Sequence, residues 1–181
     1  MLLRCVAVLC VFCFAFISAL SFTYALTHAA TATATASAKV VSPLQTRLLL
    51  PLQFGRVHPG EDGGVISINP QSNRRHFEGT AHPLFGPRGH SAAFYVKGER
   101  LRAYTITLPD EVYITKRFGH SLPMQVTNFR AYSRNKRAVG SVGILNRAGR
   151  DLFFVGGDLI LTSSASPGLY TANIDVVVTY Q

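Results

Sequence analysis

Cysteine is scarce and badly placed for a folded domain: Cys5, Cys10 and Cys13 all fall within the first thirteen of 181 residues. Arg4 precedes an apolar run from Cys5 to Ala15 that continues through Leu20. That is the charged n-region and apolar h-region of a secretory signal peptide, and the run is too short for a comfortable membrane span. Cleavage is expected near Ala29 and Ala30, with Ala25 as the other small candidate, so residues 1–30 are read as a signal peptide. Lipidation is not expected, because Leu9 and Phe12 precede Cys10 and Cys13 where a lipid-accepting cysteine wants a small residue. Removal of the leader removes every cysteine. The exported chain then has no disulfide in a compartment that permits one, and its stability must come from core packing and strand pairing.

Acidic residues are also few. Loss of Arg4 leaves 17 basic against nine acidic residues, a net charge of +8. No long basic run concentrates that charge. The longest cluster, Arg134-Asn135-Lys136-Arg137, lies between strand-like segments and reads first as solvated loop charge. Nucleic acid is not an expected partner of an exported protein. With Arg130 and Tyr132, the residues Arg134, Lys136 and Arg137 form a candidate surface-binding patch for an anionic glycan or lipopolysaccharide.

No stretch carries a 3.6-residue apolar period, which excludes the crossover helices that a doubly wound α/β fold requires. No glycine-rich turn leads into a Lys-Ser/Thr helix start, so a phosphate loop is not expected. The histidines His58, His76, His82, His90 and His120 show no metal-ligand spacing on one element, and neither metal nor cofactor is expected. Gly89-His90-Ser91-Ala92-Ala93 has the letters of a hydrolase elbow, but that motif needs a helix after the serine. Here Ala92-Ala93-Phe94-Tyr95-Val96-Lys97 continues as a strand, so no catalytic residue is assigned and the chain reads as a non-enzyme.

What the chain does have is strands. Segments 47–54, 64–69, 91–97, 102–108, 122–129, 139–145, 151–161 and 169–180 are short and rich in β-branched and aromatic residues. Turn chemistry separates them, as in Asn69-Pro70-Gln71-Ser72-Asn73, Phe85-Gly86-Pro87-Arg88-Gly89 and Ser166-Pro167-Gly168. The fold class is all-β, a sandwich or barrel. The domain is placed at 46–181. Residues 31–45 form an extended Ala/Thr-rich N-terminal segment, either a linker, a first strand or a donor strand that completes another subunit by strand addition.

The last segment is the most specific. Tyr170, Ala172, Ile174, Val176, Val178 and Tyr180 share one face of a strand, while Thr171, Asn173, Asp175 and Thr179 take the other. Gly168 lies fourteenth counting back from Gln181, and Tyr180 is penultimate. That pattern resembles the assembly strand of chaperone-usher pilins, which makes Gly168 and the six inward residues the candidate assembly site. Further stretches, in order Leu52-Gln53-Phe54-Gly55, Gly63-Gly64-Val65-Ile66-Ser67-Ile68-Asn69-Pro70, Ala93-Phe94-Tyr95-Val96-Lys97-Gly98, Tyr104-Thr105-Ile106-Thr107-Leu108-Pro109, Met124-Gln125-Val126-Thr127-Asn128-Phe129 and Val155-Gly156-Gly157-Asp158-Leu159, resemble a bacterial secreted family of unknown function akin to spore coat protein U and the archaic pilins. The resemblance implies an immunoglobulin-like, pilin-type β-sandwich, self-complete or completed by strand addition. It also implies a Gram-negative surface fibre or coat subunit, handled in the periplasm by a chaperone and an usher and bound to like subunits at the cell surface. The missing cysteines depart from the archaic pilins, which often carry a disulfide.

Two other readings stay open. One is a self-complete secreted sandwich that binds an anionic polymer through residues 130–137. The other is a small outer-membrane barrel, which the two-faced apolar runs Leu48-Leu49-Leu50-Pro51-Leu52 and Leu152-Phe153-Phe154-Val155 disfavour.

Overall fold

A computed structural model describes residues 37–181. The expected signal peptide, the three cysteines and residues 31–36 of the Ala/Thr segment lie outside the described residues. Among the described residues every regular element is a strand: β1 (Gln45–Leu50), β2 (Gln53–His58), β3 (Gly64–Ile68), β4 (Arg75–Gly79), β5 (His82–His90), β6 (Ala92–Lys97), β7 (Ala103–Thr107), β8 (Glu111–Lys116), β9 (Met124–Ser133), β10 (Ala138–Val139), β11 (Val142–Ile144), β12 (Arg150–Leu161), β13 (Tyr170–Thr171) and β14 (Val177–Tyr180). The fold is all-β, and its sheets are antiparallel.

The twelve-residue β12 organises the larger sheet, whose order is β1-β6-β12-β9-β8-β13. Its first half, 150–155, pairs with β6, and its last four residues pair with β3 on the same flank, while β9 runs along the other. One face of the strand stays inward along this length: Asp151, Phe153, Val155, Gly157, Leu159 and Leu161 are all buried, with Gly156 buried between two of them. β4 extends the β3 side through a tight turn. There Asn69 Oδ1 accepts the amides of Gln71 and Ser72, and Asn73 takes a φ of 55° to close the turn onto the Asn69 carbonyl. Asparagine suits both positions, since its short amide mimics backbone and tolerates the left-handed region.

A second sheet, β11-β7-β14, faces the first. The core between them holds Tyr104 and Ile106 from β7 against Val96, Ala131, Phe153 and Val155. Phe94 stacks on Phe153 with centroids 4.8 Å apart, and Tyr104 meets Phe153 at 6.3 Å. A second core cluster gathers Ile66, Met124, Val126, Leu159 and Leu161, and Phe54 and Val57 of the small β2–β5 sheet pack against it. Two apolar layers brought face to face make the sandwich.

β9 serves both clusters by changing parity. Met124 and Val126 are buried in its first half, Ala131 and Ser133 in its second. The switch is a bulge: β12 advances two residues from Gly156 to Asp158 while β9 spends three between Arg130 and Thr127, and Asn128 sits at φ 50°. One extra residue exchanges the two faces of everything beyond it.

Several expectations need correction. The expected strand 47–54 is two strands, because Pro51 offers no N–H to a ladder and the chain passes to the small sheet as β2. The Phe85–Gly89 turn instead lies within β5, whose two prolines and two glycines are tolerated in a two-stranded edge pairing. β4 and β8 were not expected: one is largely polar, and the other is bracketed by Glu111 and Lys116. The terminal segment is not one strand. β13 pairs with β8 in the larger sheet, β14 pairs with β7 in the facing one, and residues 172–176 carry the chain across.

Candidate assembly cleft

The two sheets end in unpaired edges on the same side of the first core cluster. Among the described residues β14 pairs with β7 alone and β1 with β6 alone. Gln181 N donates to the Ala103 carbonyl at 3.2 Å, which places 177, 179 and 181 in the hydrogen-bonded register with β7. By antiparallel alternation the backbone groups of Val178 and Tyr180 therefore point to the open edge. The same residues turn their side chains inward: Val176, Val178 and Tyr180 pack against the core cluster beside Leu44 and Leu52. Across from them, β1 is exposed along its length, and Leu48, Leu49 and Leu50 keep 52, 42 and 52% of their surface accessible. Leu48 lies opposite Phe94, whose side chain packs on that core. An unpaired backbone edge bordered by bare leucines has the unmet hydrogen bonds and apolar surface that strand addition would require.

Tyr180 fastens one end of this cleft. Its hydroxyl donates to the Ser42 carbonyl at 2.7 Å and accepts the Glu99 amide at 2.6 Å. The Arg102 guanidinium stacks on its ring at 4.5 Å and is held by Glu99 at 2.8 Å. Gly98 makes room for the phenol, since a Cβ there would fall 2.2 Å from the hydroxyl oxygen. Gly98→Ala is thus expected to push Tyr180 off both hydrogen bonds and to lower stability by about 1–3 kcal/mol, read from the thermal unfolding midpoint. An unchanged midpoint would show that the phenol has slack.

The remaining residues of the terminal segment are placed unevenly. Tyr170 packs against the second cluster, with its hydroxyl on the Ser166 carbonyl at 2.8 Å and near Ser121 Oγ at 2.7 Å. Ile174 is half-buried, whereas Ala172 is exposed where the chain crosses between sheets. Gly168 is exposed and its Cβ position would meet the Lys116 side chain at 2.5 Å. The cleft borders 176–180, then, and the earlier residues of the segment belong to the other sheet.

The basic patch is divided. Arg130 is turned onto Asp158 at 2.6 Å, and Asn128 supports the same carboxylate at 3.1 Å. Tyr132 is half-buried on β9. Arg134, Lys136 and Arg137 stand exposed on the turn between β9 and β10, where Arg137 takes a φ of 55° and returns its amide to the Ser133 carbonyl at 2.9 Å.

That turn is held from inside by a group the sequence reading passed over. Asp151 is only 3% exposed. One carboxylate oxygen accepts the hydroxyls of Tyr104 and Ser133, both at 2.7 Å, and the other accepts the amides of Asn135 at 3.1 Å and Leu152 at 2.7 Å. Burial first, and the carboxylate next, push the Tyr104 phenol above its usual range, so it stays a donor. The signal was present: an aspartate at an inward position of an otherwise apolar alternation must be satisfied internally.

Ser91 of the elbow-like motif is 4% exposed, and both its amide and its hydroxyl donate to Asn73 Oδ1, at 2.7 and 3.0 Å. It anchors the β3–β4 turn to the start of β6.

No curated protein matches the chain. Residues 41–180, which include both edges of the cleft, the Tyr180 clamp and the Asp151 network, match one family, and the chain belongs to it: the Domain of unknown function (DUF4402).

Proposed function

We propose that this protein is an exported, non-catalytic structural subunit of a surface fibre or coat, assembled by strand complementation. The observation that carries the reading is the pair of unpaired strand edges, β1 and β14, at one core cluster, with exposed leucines along β1. An extended segment with apolar residues at alternate positions would add backbone hydrogen bonds to the Val178 and Tyr180 edge and cover that surface. The leader-like N terminus, the resemblance to archaic pilins and spore coat protein U, and the Ala/Thr-rich segment 31–45 fit such an exchange among like subunits, with a chaperone and usher as transit partners. Alanines fill pockets poorly, so a larger alternating segment is the better occupant.

The test is to supply the strand in the same chain. Fusion of residues 31–45 behind Gln181 through a flexible linker, and a second fusion with Val or Leu replacing the alanines, should convert oligomer to monomer. The Val/Leu fusion should raise the melting temperature by about 5–10 °C, the equivalent of a few kcal/mol in a domain of this size. A wild-type domain that is monomeric, cooperatively folded and indifferent to both fusions would be self-complete. The exposed Arg134, Lys136 and Arg137 would then favour a sandwich that binds an anionic surface polymer.

A further inference from the structure

Away from the cleft, the small β2–β5 sheet contains a protrusion built by a mismatch in register. Gly55 pairs with Arg88 and Val57 with Pro83, so the four residues Leu84-Phe85-Gly86-Pro87 stand opposite Arg56 alone. The surplus has nowhere to go but outward. Gly86 adopts a φ of 136°, which permits the excursion. At its crest Phe85 is fully exposed and Leu84 is 46% exposed.

Arginines surround the base of this protrusion. The Arg56 stem lies against Gly86, where a Cβ would come within 2.8 Å of its Cδ. Arg88 occupies the other strand at Gly55, and the Arg75 guanidinium reaches the same glycine, bonded to the Phe54 carbonyl at 2.9 Å. Among the described residues neither Arg56 nor Arg88 has a carboxylate partner. A bare phenyl ring beside unpaired guanidiniums is amphipathic over a few residues. A groove or flat aromatic platform would suit a peptide or a sugar, but this feature is convex, and a convex apolar tip is satisfied by entering a soft apolar phase.

We propose that residues 84–87 dock this protein on an anionic phospholipid bilayer, with Phe85 and Leu84 below the headgroups and Arg56 and Arg88 on lipid phosphates. The proposal does not depend on strand complementation, because the bulge lies on a different sheet from the cleft.

The chain has no tryptophan, so Phe85→Trp introduces a lone indole reporter at the crest. Wild type and variants, each without residues 1–30, are incubated with vesicles of phosphatidylethanolamine and phosphatidylglycerol, and with phosphatidylcholine alone. The indole emission should shift to the blue on the anionic vesicles, and high salt should release the protein. Phe85→Ser should weaken binding to those vesicles about tenfold or more, as should Arg56→Gln combined with Arg88→Gln. All these positions are exposed or edge sites, so melting temperatures should match wild type, and that match separates lost docking from lost fold. Unshifted emission on anionic vesicles, or a Phe85→Ser protein that binds them like wild type, overturns the proposal. So does arginine-dependent binding to heparin that ignores Phe85 and is not accompanied by vesicle binding, which would assign the arginines to a soluble polyanion.

Discussion

Asp151→Ala is expected to lower stability by about 3–5 kcal/mol, a large share of the roughly 5–15 kcal/mol that a domain of this size possesses. The substitution removes the acceptor of four hydrogen bonds at once. The hydroxyls of Tyr104 and Ser133 stay behind in residues with 0% exposure, and each buried donor left unmet costs about 1–3 kcal/mol. Tyr104→Phe and Ser133→Ala should each cost less, about 1–2 kcal/mol, because the carboxylate keeps its other donors. Urea unfolding of the three variants orders them. If Asp151→Ala falls within about 0.5 kcal/mol of wild type, the network is not what holds the 133–137 turn to β12.

The second large effect concerns the open edge. Val178→Asp should destabilise by about 3 kcal/mol or more, while Thr179→Asp should stay within about 0.5 kcal/mol. Val178 lies opposite Ile106, which is 2% exposed, and packs on the core cluster, so a carboxylate there meets no donor. Thr179 faces solvent one residue later. Chemical denaturation of the two variants checks the pair. Equal damage would mean that β14 is covered on both faces.

The parity contrast between Val178 and Thr179 is legible in sequence because a period of two is a property of one strand. The same is true of β12, where Phe153, Val155, Leu159 and Leu161 mark the core face along most of its length. What stays hidden depends on a partner. The bulge at Asn128 is one residue too many only relative to β12, so nothing in Met124–Ser133 alone announces the change of face. The break in the terminal segment has the same origin, since Ala172 to Val176 leave β8 for β7 and neither neighbour is visible locally. Pro51 was readable, and its effect on 47–54 follows from a missing N–H. Phe85 and Arg56 were not, for their juxtaposition arises from a register mismatch within a stretch whose prolines and glycines spell a turn. Of the candidate cleft, the strand that lines it could be read, but the exposed β1 opposite could not, because Leu48 to Leu50 look like core.

The central position of β12 also bears on when the fold can begin to exist. Its partners β3, β6 and β9 all precede it along the chain, and each is joined to the others through it. Before residues 150–161 exist, the larger sheet can form only in separate pieces, β1 with β6, β3 with β4 and β8 with β9, which have no common partner. Pairings of such long sequence separation are slow to form. The larger sheet can therefore be joined into one only when most of the chain is present.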